Sequence, residues 1–339
     1  MDATQAAAQH WDEQPEWNAG CYWLELPTVQ RRLNQRATGD PAEDWIQYTL
    51  RRYFPHTLPL ARCLSLGCGK GALERRLADL NAFVACDAVD IAPACIAAAQ
   101  ARAAQAGYTH IHYTVADLNT LPLEPSTYDL VLGNGSVHHL EALEAVFARV
   151  AQALKPGGLF VLNEYVGPSR FQFPPRQKEI IQACWTLLPP AYRQPLAAAV
   201  AEHQRVATQR RSLAWSIRRL VEKARDGDLL ATAKRRWTLL RGKAQTGLRF
   251  PSASDVAATD PSEAVRSADI LPALERDFEI VEVKPLGGTI LQFLLADIAG
   301  NFRTPEGERL LAMLFAIEDA LLAAGEVESD FVYVVARVR

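Results

Sequence analysis

Three glycines at alternating positions, Gly67, Gly69 and Gly71, follow the apolar run "LSL" and precede "ALERRLA". A strand-to-helix turn of this kind lets backbone amides approach a ligand closely, because no Cβ stands in the way. The same letters serve a pyrophosphate, a nucleoside or only a tight bend, so the residues that follow must decide. Read as G-x-G-x-x-G/A, "GCGKGA" is a dinucleotide fingerprint, with Asp87 or Asp90 about 20 residues on as a ribose acceptor. Further along, His138, His139, Glu164 and Tyr165 are the candidate base and positioning groups. The two histidines are adjacent, whereas helical metal pairs need spacing near i, i+4, so no metal site is expected.

The elements that would hold these residues are legible in the periodicity. From Arg62 to Gly158 short apolar strands alternate with helical stretches, the mark of a parallel sheet covered by helices. "RCLSLG", "FVACDAVD", "HIHYTVADL", "YDLVLGNG" and "LFVLNEYV" read as five strands. Leu73, Leu77 and Leu80 share one helical face, and the run from Pro93 to Ala106 has Pro near its start and Gly107 at its end. Apolar residues at 140, 143, 147, 150 and 154 make a further helix that "KPGG" stops. Beyond residue 250 the pattern predicts a helix, a strand near Phe278 to Val283, another apolar helix and a closing strand "DFVYVVARV". Right-handed crossovers would set a ligand at the carboxyl ends of the strands.

Residues 1–60 are dense in aromatics, among them Trp11, Trp17, Tyr22 and Trp23, and read as a helical N-terminal lid. Within them "GDPAED" offers Asp40 as an N-cap, with Pro41 and Glu43 in the first turn. Residues 61–167 form the core, 168–250 an inserted helical cap, and 251–339 complete the core sheet. The stretch 205–250 carries thirteen Lys and Arg against three acidic residues, which suits a solvated or homodimer-forming face of the cap.

The 339 residues suffice for a full core, and 49% hydrophobic with 22% charged residues is the balance of an ordinary globular protein. A net charge of -3 and a pI near 6.2 make nucleic acid an unexpected partner for the whole chain. No secretory leader pattern and no membrane-length apolar run is evident, and six cysteines without a C-x-x-C pair suit reduced, buried thiols. A cytoplasmic location is the expectation.

"LSLGCGKG", "VDIAP", "VADLNTLPL", "YDLVLGNGSVHHL" and "ALKPGG" occur in that order between Arg62 and Tyr165, and together they resemble the class I S-adenosylmethionine-dependent methyltransferases. Five ordered motifs outweigh one glycine turn, and the NAD reading recedes. The resemblance implies an α/β fold, a doubly wound, seven-stranded, mostly parallel sheet whose last strand is antiparallel. It implies S-adenosylmethionine as cofactor, with Gly67, Gly69 and Gly71 at its amino-acid part and Asp90 on both ribose hydroxyls. Ile91 would pack on the adenine, Asp117 and the Leu118 amide would read its edge, and Asn134 would lie beside the methionine moiety. The plainer roles are a turn cap for Asp117, a structural turn for Asp87, and an ion pair to Arg170 for Glu164.

The activity so implied is methyl transfer to a small-molecule acceptor of secondary-metabolite type in a closed pocket. Tyr22, Trp23 and Tyr165 could face a sulfonium, an attraction of roughly 0.5 to 2 kcal/mol. "GNGS" replaces the Asn/Asp-Pro-Pro-aromatic run of the nucleic-acid amino-methylating branch, which counts against that substrate. An alternative is a cyclase, in which the cofactor's amine displaces its own sulfonium, releasing methylthioadenosine and forming azetidine-2-carboxylate. Asn134, Tyr22, Tyr165 and the two histidines would be reused there. A cofactor-binding protein without turnover is a lesser alternative.

Overall fold

The computed structural model describes residues 3–12, 22–201, 221, 224, 248 and 250–339. The basic stretch from 205 onwards, and with it most of the expected cap, therefore lies outside the described residues. Seven strands form one sheet: β1 (Leu60–Leu66), β2 (Phe83–Asp90), β3 (Ile111–Val115), β4 (Tyr128–Asn134), β5 (Leu154–Tyr165), β6 (Phe278–Gly287) and β7 (Phe331–Val338). Their order is β3-β2-β1-β4-β5-β7-β6. The pairs among β1 to β5 are parallel, and β7 runs antiparallel to both β5 and β6.

Helices α1 (Ala3–Asp12), α2 (Pro27–Thr38) and α3 (Trp45–Tyr53) precede the sheet, and α4 (Ala72–Asp79), α5 (Pro93–Gln105) and α6 (Leu143–Ala153) join its parallel strands. Further on come α7 (Pro175–Leu187), α8 (Ala253–Thr259), α9 (Ile270–Asp277), the short α10 (Leu291–Leu294) and α11 (Pro305–Ala323). The core lies on both faces of the sheet. Leu130, Leu132 and Val161 pack with α4 and α5 on one side, while Val131, Phe160 and Leu162 pack with α6 and α9 on the other. This is the alternation that strands buried on both faces must show. Among the described residues no helix is long and apolar enough to cross a membrane.

Local differences from the periodicity have physical reasons. Helix α3 starts at Trp45, not after Asp40, because Asp44 forms the full capping box with Gln47, while Asp40 closes a turn by accepting the Ala42 amide at 2.8 Å. "KPGG" ends α6 but then enters the irregular start of β5, where the pairing with β4 shifts between Tyr128 and Leu130. The apolar helix expected after β6 is only Leu291–Leu294, and the long helix is α11, absent from the pattern analysis. Its start was signalled by Thr304, which accepts the Gly307 amide at 3.0 Å, and by Pro305 at the first position.

α2 is tied to the C-terminal half by charge. Glu318 on α11 is fully buried and accepts from Arg32 on α2 at 2.7 Å and from the Ile290 amide at 2.8 Å. Removing one partner of such a pair strands the other charge in a low-dielectric site. Arg32→Met should therefore lower unfolding stability by about 3 kcal/mol in urea denaturation.

Candidate functional site

The carboxyl ends of β1, β2 and β4 meet where the strand order reverses, and the chain leaves each in a turn that faces a common hollow. The turn after β1 is pinned to its neighbour, since the Gly67 and Cys68 amides both donate to the Val89 carbonyl, at 2.8 and 3.0 Å. Gly67, Gly69 and Gly71 all have positive φ, at 68°, 51° and 75°. Their surroundings differ. A Cβ on Gly69 would meet nothing within 4 Å, so its side of the turn is open, whereas a Cβ on Gly71 would stand 2.5 Å from the Tyr113 hydroxyl. Gly67 and Gly69 line the cavity, and Gly71 instead lets α4 pack closely on β3 and α5.

That cavity has a volume of about 350 Å³. Asp90 and Ile91 at the end of β2, Asp117 and Leu118 after β3, and Asn134 at the end of β4 all line it. Asp90 accepts the Gly69 amide on Oδ2 at 2.8 Å and the Ala92 amide on Oδ1 at 2.9 Å. Burial raises its pKa, and the amide donors oppose that shift. Each Asp90 oxygen keeps further acceptor capacity toward the hollow. Asp117 does close a turn, with Oδ1 accepting from the Asn119 amide and side chain, each at 2.9 Å. Its Oδ2 is left for a ligand. Asn134 Oδ1 accepts from Asn163 at 2.9 Å, which orients the amide at the strand end. Asp87 is structural, paired with Arg62 at 2.7 Å and with the Tyr128 hydroxyl at 2.9 Å.

A charged cluster forms the wall beyond Asn134. Glu164, fully buried at the end of β5, accepts the Ser136 and Val137 amides at 2.8 and 2.7 Å, its own neighbour's amide from Tyr165 at 2.8 Å, and His138 Nδ1. These donors consume the carboxylate, so Glu164 is an anchor and not a proton acceptor in the cavity. Its pairing with Arg170 is not made, because Arg170 is spent on the carbonyls of Pro261 and Glu263 at 2.6 and 3.0 Å.

The two histidines divide. His138 lies between Glu164 and Glu263, the latter 3.5 Å from Nε2. Burial alone would lower its pKa, but the Glu164 carboxylate, followed by Glu263 and Asp260, raises it to about 9. His139 lines the cavity, with Nδ1 3.1 Å from Ser262 Oγ and 3.6 Å from Asp260. Burial first, and the neighbouring His138 charge second, push it well below the ordinary imidazole range. One histidine is thus a held cation and the other a neutral ring facing the cavity. Donor atoms of His138, His139 and Glu263 lie within 4.8 Å of one another, a spacing that could hold a metal ion where the adjacency of the two histidines suggests none.

The aromatic expectations need correction. Tyr165 is 2% exposed, donates to the Pro168 carbonyl at 3.1 Å and packs edge-on against His138 and Phe331, so it faces the core and not the cavity. Trp23 is likewise core, packed on Phe331. Tyr22 is held protonated by burial and by Glu263, and it does not line the cavity. The ring that does is Trp11 on α1, edge-on to His139 at 5.2 Å, with Ala7 beside it.

Helix α1 is seated by a contact that no local pattern contains. The N-terminus of α5 has no side-chain cap of its own, and Asp12 Oδ1 accepts the Ala94 amide there at 2.8 Å. Ser262 and Val265 close the cavity from the far end of the sequence. They lie in a turn built on Asp260, which accepts the Ser262 amide at 2.8 Å, where the periodicity suggested a helix start. Glu74, Lys70 and Ser65 also line the hollow and were not singled out.

The profile of the methyltransferase-domain family matches residues 63–158. An uncharacterized methyltransferase of Mycobacterium bovis is 35% identical over 106 residues, covering 31% of this chain and 51% of that protein. A ubiquinone biosynthesis O-methyltransferase of Methylobacterium nodulans is 34% identical over 122 residues, covering 34% of this chain and 48% of that one. The chain spans about half the length of the curated relatives it matches. Geranyl diphosphate C-methyltransferase from Streptomyces coelicolor A3(2), solved with Mg2+, geranyl-S-thiolodiphosphate and S-adenosyl-L-homocysteine, aligns over 100% of this chain and 99% of its own, at 12% identity and a TM-score of 0.52. That likeness is one of fold.

Two outcomes follow from the cluster and the helix seat. Because the His138 pKa is raised from 6.5 to about 9, its contribution to stability is complete below about pH 6.5 and is lost as pH rises through 9. Glu164→Gln should bring the His138 titration, followed by NMR, down from about 9, and should remove that alkaline decline. Asp12→Ala should loosen α1, read as faster amide exchange in residues 3–12, while unfolding stability falls by only about 1 kcal/mol.

Proposed function

We propose, from the premise that this chain belongs to the class I S-adenosylmethionine-dependent methyltransferases, that it transfers a methyl group to a small-molecule acceptor held beneath α1. The observation that carries this reading is a single cavity lined at one end by Asp90, Ile91 and Asp117 and at the other by a neutral histidine, His139. When bound, S-adenosylmethionine supplies a methyl carbon made electrophilic by its sulfonium.

The residues present fit that cofactor. Asp90 has acceptor capacity for a ribose diol, Asp117 Oδ2 can take an exocyclic amine, and the open face at Gly69 admits the ligand chain close to the backbone. Asn134, oriented by Asn163, lines the same cavity and is the polar group offered to the methionine part of the cofactor. Trp11 and Ala7 cover the cavity and limit water, which strengthens every charge interaction inside it.

His139 is the group able to take a proton from an acceptor hydroxyl or amine, since it faces the cavity in its neutral form. His138 acts on it by charge. As a held cation it keeps the His139 pKa low, so the base stays available at mildly acid pH. Glu164 in turn holds His138 and the backbone of the 136–138 turn.

The test is to incubate the purified protein with S-adenosylmethionine, alone and with panels of hydroxyl, amine and carbon-acid metabolites, and follow nucleoside products by mass spectrometry. S-adenosylhomocysteine that forms only with an acceptor is the expected result. Methylthioadenosine from the cofactor alone would overturn methyl transfer in favour of the intramolecular displacement that forms azetidine-2-carboxylate. With an acceptor in hand, His139→Gln should lower kcat by roughly 100-fold or more with cofactor affinity nearly unchanged. His138→Gln should move the acid limb of the kcat profile to higher pH, because the charge that disfavours protonated His139 is gone.

A further inference from the structure

We propose that Glu74 is the counter-ion for the primary ammonium at the amino-acid end of the ligand in this cavity, a reading that rests on the cofactor assignment above. Glu74 sits in the first turn of α4, three residues past Gly71, with 0% of the residue exposed. It nonetheless lines the cavity, beside Ser65 and Cys68. Neither of its carboxylate oxygens has a hydrogen-bond partner.

An ionised carboxylate without donors is among the most costly groups to bury, so an unmatched one at a ligand cavity marks a missing cation. Two half-buried acids that line the same cavity are provided for. Asp90 has two amide donors, and Asp117 has the amide and side chain of Asn119. The charged and phenolic donors near Glu74 are turned elsewhere, Arg75 to the Lys70 carbonyl at 2.8 Å and the Tyr113 hydroxyl toward the Gly71 carbonyl at 3.5 Å, which leaves the neutral Ser65 hydroxyl as its nearby side-chain donor. Burial lifts the Glu74 pKa to about 7, with the nearby Ser65 hydroxyl working against the shift. Glu74 thus stands between acid and carboxylate at neutral pH, and a bound ammonium would supply the charge partner that its burial denies it.

Three nucleoside ligands separate the possibilities by calorimetry on the full chain. S-adenosylhomocysteine carries the ammonium, its deaminated analogue S-adenosyl-4-thiobutyrate lacks only that group, and methylthioadenosine lacks the whole amino-acid end. Glu74→Gln should weaken S-adenosylhomocysteine binding by roughly 10- to 100-fold and leave methylthioadenosine within about threefold. Wild-type protein should show a comparable loss for the deaminated analogue, a comparison that needs no variant to fold. The ligand-free Glu74→Gln protein should melt at or above the wild-type temperature, because a neutral amide is cheaper to bury than an unpaired carboxylate.

Equal effects of the substitution on S-adenosylhomocysteine and methylthioadenosine would overturn the assignment, as would full affinity of the wild type for the deaminated analogue. Either result leaves cofactor binding intact. Failure of the wild type to bind any of the three would instead overturn the cofactor assignment on which this inference stands.

Discussion

The wall of the cavity depends on one buried carboxylate. Glu164 stands at the carboxyl end of β5, opposite Val332 of β7, and takes four donors from the turn beyond β4 and from its own strand. A charge in that position is tolerated only while every donor stays in place. The turn from Gly135 to His139 therefore has a single arrangement, further held by the Ser136 hydroxyl on the Leu66 carbonyl at 2.5 Å. The same turn carries Asn134 before it and both histidines within it. Strand β5 thus shapes the cavity without lining it.

The contrast between the two histidines follows from that anchor. Glu164 keeps a proton on His138, while burial first and the His138 charge second keep one off His139. Two residues of one type, adjacent in the chain, acquire opposite protonation because their rings turn to different neighbours. Glu263 and Asp260, brought in by the loop ahead of α9, complete the charge balance from more than a hundred residues away. The cavity wall around His139 is in this sense assembled from three separate parts of the chain, whereas the wall around Asp90 and Asp117 is built almost wholly from turns that follow consecutive strands.

That division explains what could be read in advance. The seven strands are short apolar or alternating segments, and Pro93, Gly107 and the 140–154 periodicity mark helices by local chemistry. Asp90, Ile91, Asp117, Leu118 and Asn134 end or follow strands, so naming the strands already placed these residues along one edge. Gly71 was grouped with its neighbours because a glycine's reason for being small is invisible without knowing what stands beside it; here it is the Tyr113 hydroxyl. Tyr165 and Tyr22 were read as cavity walls because an aromatic beside a strand end looks the same whether its ring turns inward or out.

The sequence by itself determined where strands and helices lie and which acids end or follow the strands, since periodicity and turn chemistry act within a few residues; the sheet as a whole was implied by the resemblance, because strand pairing joins residues far apart in the chain. Only the tertiary structure decided that Glu164 is an anchor, that His139 and not His138 lines the cavity, that Trp11 lines it too, and that the Glu74 carboxylate is buried without a hydrogen-bond partner. Those facts are set by burial and by partners distant in the chain. Charge and protonation depend on what surrounds a group in space, and a linear order of residues does not carry that information.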